Sequence, residues 1–208
     1  MYIGLAKAEQ ARANVKKALV AERIESFAAR RLFDTVPFIF TAAPDCTEWK
    51  VRTAEFLAVD PCSVFIIGSA CSCVSFNPNK NFKVFDEGRP SDIDIAVISN
   101  YHFELAWRKL REIGAGKYNL DTAGQASLAE HRDHHVFWGM FATEKILSAL
   151  PFSQEWLRAS VEISKRAPME GREIKFRLYR DSYSFVAYHL NGLKSLRAQL
   201  TSATQSGK

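Results

Sequence analysis

Two aspartates one residue apart, Asp92 and Asp94, sit in the run "SDIDIAVIS", and a Gly68-Ser69 pair closes an earlier apolar run, "SVFII". On an extended backbone, side chains at i and i+2 share a face, so the two carboxylates project together. Like charges side by side repel, and burying them without a counter-charge costs on the order of several kcal/mol. A hard divalent cation, Mg²⁺ or Mn²⁺, answers that need. Such ions prefer oxygen ligands and commonly bind through one or two carboxylates plus the phosphates of a substrate. Asp92 and Asp94 are therefore the candidate metal ligands. Glycine at a strand end lets backbone N–H groups approach a phosphate, and the serine hydroxyl adds a further hydrogen bond. Gly68 and Ser69 are the candidate phosphate binders. "GS" carries no signal by itself and "DxD" little; the informative pattern is apolar strand, Gly-Ser, loop, then an apolar-flanked Asp pair.

The elements that must hold these residues follow from periodicity. "SVFIIGS" is a short β-rich run, and Ile93, Ile95 and Val97 alternate with Asp92, Asp94 and Ala96, so both segments read as strands. Later, "REIKFRLYRD" alternates again, with Ile174, Phe176 and Leu178 on one face and Glu173, Lys175, Arg177 and Tyr179 on the other. Helical spacing predicts one long amphipathic helix from Leu5 to about Phe33. Its apolar face is for packing within the chain or against a second copy, the route to a homo-oligomer. "CTEWKVRTAEFLAV" reads as a short helix capped by Asp45 or Thr47. Further helical patterns cover "YHFELAWRKLREIGAG", Ser127 to Leu150, Ser153 to Lys165, and Ser184 to about Leu200. The class is α+β, a small mixed sheet wrapped by helices. One domain is expected over 1–200, with a core sheet in about 61–100 and 172–181, a helical insert over about 101–170, and a disordered tail at 201–208.

Bulk properties set limits on function. The chain has 208 residues, 47% hydrophobic and 25% charged, a composition typical of folded globular proteins. It shows neither a membrane-spanning apolar run nor a secretory h-region, so a cytoplasmic protein without membrane contact is expected. Four cysteines, Cys46, Cys62, Cys71 and Cys73, do not space as a disulfide framework. A net charge of +5 suits polyphosphates or nucleic acid without establishing either.

In "FIIGS" and "SDIDIAV" the sequence resembles the polymerase-β-like nucleotidyltransferase superfamily, over about Ser63 to Ser99 with an extension to "EIKFRLYRD". The resemblance implies a nucleotidyltransferase fold in which Gly68 and Ser69 hold the triphosphate of an NTP. It makes Asp92 and Asp94 the catalytic carboxylates that bind the metal ions carrying that NTP. A hydroxyl of an acceptor (RNA, protein or small molecule) then attacks the α-phosphorus and pyrophosphate leaves, a reaction that asks the protein mainly for positioning and charge neutralisation. In polymerase β the third strand reads hydrophobic-Asp-hydrophobic-Arg-hydrophobic. The aligned residues are Ile174-Lys175-Phe176-Arg177-Leu178, so Lys175 stands where the family has its third acid. Lys175 and Arg177 are thereby candidate phosphate binders. The alternative is a degenerate member in which the Lys175 ammonium occupies the cation's space and the protein binds a nucleotide, RNA or protein partner without transfer.

Other clusters read more plainly. Arg89, Arg177 and Arg180 suit either phosphate or salt bridges. "EHRDHH" (Glu130 to His135) and Cys71-x-Cys73 lack the spacing of a closed zinc site. "NPNKNFK" is either a mobile substrate-contacting segment or an ordinary surface loop. "VFWGMFATEKIL" reads as an aromatic-rich helix whose rings belong to the core rather than to a base-stacking platform.

Overall fold

The computed structural model describes residues 5–114 and 121–206. The described residues form an α+β protein whose four strands lie in the sheet order β1-β2-β4-β3: β1 is Val64–Ile67, β2 Ile93–Ile98, β3 Met140–Ala142 and β4 Ile174–Tyr179. The α-helices are α1 Leu5–Ala21, α2 Ile24–Ala28, α3 Ala43–Leu57, α4 Ser69–Ser72, α5 Asn100–Glu112, α6 Thr122–Glu130, α7 Ser153–Ser164 and α8 Ser182–Ser206. The chain groups into two compact units, one of residues 1–47, 66–94 and 189–208, the other of residues 48–65 and 95–188.

In the first unit the single N-terminal helix expected from the sequence is broken. Arg23 is extended (φ −60°, ψ 135°), so α1 stops at Ala21 and α2 starts at Ile24, passing into a wider turn over Ala29–Phe33. Across the break Val15 and Leu19 of α1 and Phe27 of α2 still enter one core. The carbonyls left open where α1 ends find a side-chain donor. Arg197 of α8 donates from Nε to the Leu19 carbonyl (2.7 Å) and from Nη2 to that of Glu22 (2.6 Å). Leu193 and Leu196, three apart on one face of α8, complete the same core with Val74, Phe82 and Val84.

The segment "NPNKNFK" is tied down at both flanks. Val74 and Val84 form an antiparallel bridge, the Ser75 N–H donates to the Lys83 carbonyl (2.8 Å), and Phe82 is buried to 2% exposure. Arg12 of α1 reaches across to Glu87, its Nη2 donating to Oε1 (2.7 Å) and Oε2 (2.8 Å). Residues 77–81 are exposed, as a surface loop would be, while Phe82 and the flanks belong to the packed structure of the unit.

In the second unit Ser99 caps α5, accepting from the His102 N–H at 3.3 Å; of the helical spacing Phe103, Ala106, Trp107 and Leu110, all but the half-buried Trp107 are buried, and His102 is buried beside them. Trp156 of α7 is fully buried against Phe152 and Phe176, ring centroids 4.7 and 5.1 Å away. The expected helix over Ser127 to Leu150 is not one element, so the insert over 101–170 is not wholly helical. α6 ends at Glu130 and is followed by a wider turn over His131–His135 and a tight one over Val136–Trp138; after Gly139 (φ +65°) comes β3, which pairs antiparallel with β4 in the register Phe141↔Leu178. Three strand residues are too few to show alternation, and the surrounding apolar spacing mimics a helix. The last helix runs past Leu200 to Ser206, and residues 207–208 of the tail fall outside the described residues.

Candidate functional site

Gly68, Ser69, Asp92 and Asp94 all fall in the first unit. Asp94 is the second residue of β2 and projects on the face opposite the fully buried Ile93 and Ile95, while Asp92 immediately precedes the strand. Both carboxylates are half-buried. β1 ends where Gly68 takes φ +67°, ψ −154°, backbone that L side chains rarely adopt. A Cβ built at Gly68 would lie 3.1 Å from Oδ2 of Asp94, so the bare backbone of the turn passes directly against the carboxylate.

Beyond Gly68 the chain makes the single turn α4. The Gly68 carbonyl accepts from the N–H groups of Cys71 and Ser72 (both 3.1 Å) and from the Ser72 hydroxyl (3.0 Å). The apolar run around Pro37 braces this turn through the N–H of Phe38 to the Cys71 carbonyl (2.9 Å) and that of Ile39 to Ala70 (3.0 Å). Burial pushes the Cys71 thiol up to about 12, so it stays protonated and donates to the Leu32 and Arg31 carbonyls. The half-buried Ser69 hydroxyl makes no hydrogen bond among the described residues. After β1 the loop returns through Asp86 and Ser91, which exchange two hydrogen bonds: Asp86 N–H to Ser91 Oγ and Ser91 N–H to Asp86 Oδ1, both 2.9 Å. That reciprocal pair fixes the backbone one residue ahead of Asp92.

Lys175 and Arg177 lie on β4 in the second unit, with partners there. The Lys175 ammonium is 3.4 Å from Glu173, and Arg177 is ion-paired with Glu144, in the turn after β3. Sequence reasoning did not single out Glu144, because it lies inside a segment that looked like one helix. Arg89 is exposed. Asp181 is committed to structure: its Oδ1 accepts from the Ser184 N–H at 2.7 Å, which caps α8 and holds its carboxyl below the usual range.

In the histidine cluster His131 is held by the backbone. His131 is fully buried, with Nδ1 2.7 Å from the Ser127 carbonyl and Nε2 3.2 Å from that of Ala142, so both ring nitrogens face backbone oxygens. Among the described residues no three His, Cys, Asp or Glu side chains group closely enough to hold a metal by themselves, and no helix is long and apolar enough to cross a membrane.

No family model, curated protein or solved structure matches the chain.

Proposed function

We propose that the protein is a nucleotidyltransferase that moves a nucleoside monophosphate from an NTP to a hydroxyl of an RNA, protein or small-molecule acceptor. The observation that carries this reading is the approach of the Gly68 backbone to the Asp94 carboxylate, which joins the Gly-Ser turn and the acidic strand at one place. Two half-buried carboxylates, beside a serine hydroxyl that makes no hydrogen bond among the described residues, fit a divalent ion whose remaining ligands come from the substrate. Asp92 and Asp94 would hold Mg²⁺ or Mn²⁺, which when bound neutralises the triphosphate and polarises the α-phosphorus.

The chain's own residues supply the rest. Gly68 offers backbone with no side chain in the way, Ser69 a hydroxyl donor, and the Asp86–Ser91 pair a rigid lead into Asp92. The acceptor oxygen bonds to the α-phosphorus as the bridging P–O bond breaks; pyrophosphate leaves and the hydroxyl proton passes to water. Incubation with α-labelled NTPs and pooled cell RNA or protein tests the reading. Label should enter an acceptor with the wild-type protein and not with Asp94→Ala.

One observation favours a second reading, a binding protein of the same fold that does not transfer. Lys175 stands at the family's third acid position and Glu173 is its ion-pair partner, so a basic group replaces an acidic one on β4. Nucleotide binding that ignores Mg²⁺ and survives Asp94→Ala would select it.

A further inference from the structure

The aromatic run expected to be core does not all lie in the core. Phe141 is fully buried, but Phe137 is 78% exposed, and it lines an open cavity of about 510 Å³ in the second unit with Trp107, Trp138 and Tyr183. Tyr183 is itself 84% exposed. Exposing this much ring surface around one hollow is costly unless something covers it. The cavity is also built rather than incidental. Gly139 presses so close to α8 that a Cβ there would lie 2.4 Å from Ser184 Oγ, and Asp181 caps the first turn of that helix. These contacts set Trp138 and Tyr183 on one rim.

Two charged side chains share the lining, Glu104 and Arg180. Among the described residues neither side chain makes a hydrogen bond or a close ion pair, although the Arg180 charge acts on the neighbouring Asp181 carboxyl. That combination selects a ligand. An aromatic cage with a carboxylate suits a methylated ammonium, but a guanidinium in the same wall would repel one, and the volume is that of a small-molecule site. Stacking faces, a carboxylate that accepts N–H donors and a guanidinium that accepts a phosphate together match a nucleotide. Among the bases, guanine is the one whose pairing edge offers two adjacent N–H donors to a single carboxylate.

We propose that this cavity binds a guanine nucleotide, supplied free or within single-stranded RNA, with the base stacked on the aromatic rim, its N–H edge on Glu104 and its phosphate on Arg180. The lining contains none of Gly68, Ser69, Asp92 or Asp94, so the proposal stands independently of the transfer reaction.

Calorimetric titration of the full chain in EDTA, where no metal-dependent site can contribute, tests it. GMP should bind saturably, at least about tenfold tighter than AMP, and equally in Asp94→Ala. Glu104→Gln should weaken GMP about tenfold and leave AMP unchanged. Arg180→Gln should weaken GMP and spare guanosine. Phe137→Ala, at a site too exposed to threaten folding, should weaken both nucleotides. A guanine-containing RNA hexamer that binds tighter than GMP identifies a strand as the natural source; GMP binding as well or better identifies the free nucleotide. The proposal is overturned if GMP does not saturate, if AMP matches it, or if Glu104→Gln has no effect. Tighter binding of a trimethyllysine or polyproline peptide than of GMP would also overturn it.

Discussion

Gly68 lies so close to Asp94 that a methyl group on its Cα would stand 3.1 Å from the Asp94 Oδ2. The turn that ends β1 is therefore shaped around the carboxylate of β2. Gly68→Ala meets two penalties, a backbone conformation closed to L residues and a tight contact with a charged group. Together they should lower unfolding stability by about 2–3 kcal/mol in urea. An unchanged urea midpoint would mean that the turn is looser than the geometry shows.

Phe82 tests whether the loop ahead of Asp92 is core. Its ring is buried to 2% exposure beside Val74, Val84 and Leu193. Phe82→Ala should cost about 3–4 kcal/mol, read as a loss of thermal and urea stability. A cost under about 1 kcal/mol would restore the picture of a mobile surface segment.

Acid should weaken the fold through histidine. Burial pushes the His189 imidazole down to about 4 from its ordinary 6.5, and burial lowers His102 as well. Between pH 6.5 and 4 the unfolded chain binds a proton at His189 that the folded chain refuses. Stability therefore rises with pH through that window, is complete above it, and is lost towards pH 4. The residue keeps some exposure, so the loss from pH 7 to 5 should be at most about 2 kcal/mol. Urea midpoints measured across that range should fall, and His189→Phe should flatten the slope; an equal slope in both proteins would contradict the assignment.

The break after α1 depends on Arg197, whose guanidinium satisfies two carbonyls there. Arg197→Met keeps the aliphatic stem and removes both hydrogen bonds. It should cost about 1–3 kcal/mol, with earlier hydrogen exchange at the end of α1. Uniform exchange along α1 would show that water replaces the arginine without loss.

How much of this was legible depended on the length of each periodic signal. β2, β4, α5 and α7 were readable because Ile93-x-Ile95-x-Val97, Ile174-x-Phe176-x-Leu178, the spacing of Phe103, Ala106 and Leu110, and the helical pattern from Ser153 each repeat over several residues. The approach of the Gly-Ser turn to an aspartate was implied by two weak motifs taken jointly. β3 was hidden because Met140–Ala142 is shorter than one legible alternation. The cavity was missed for a related reason. Phe137, Trp138 and Phe141 look like one helical stripe, and the clue against it was Gly139 in their midst, whose positive φ turns the first two outward while Phe141 goes in. The break at Arg23 left no mark, since no glycine or proline signals it.

Calorimetric titration of NTP into the wild-type protein and into Asp94→Ala, each with and without Mg²⁺, bears most directly on the proposed site. We predict saturable binding by the wild type that appears only with Mg²⁺ and disappears in Asp94→Ala. Equal binding by both proteins, with or without the metal, would contradict it.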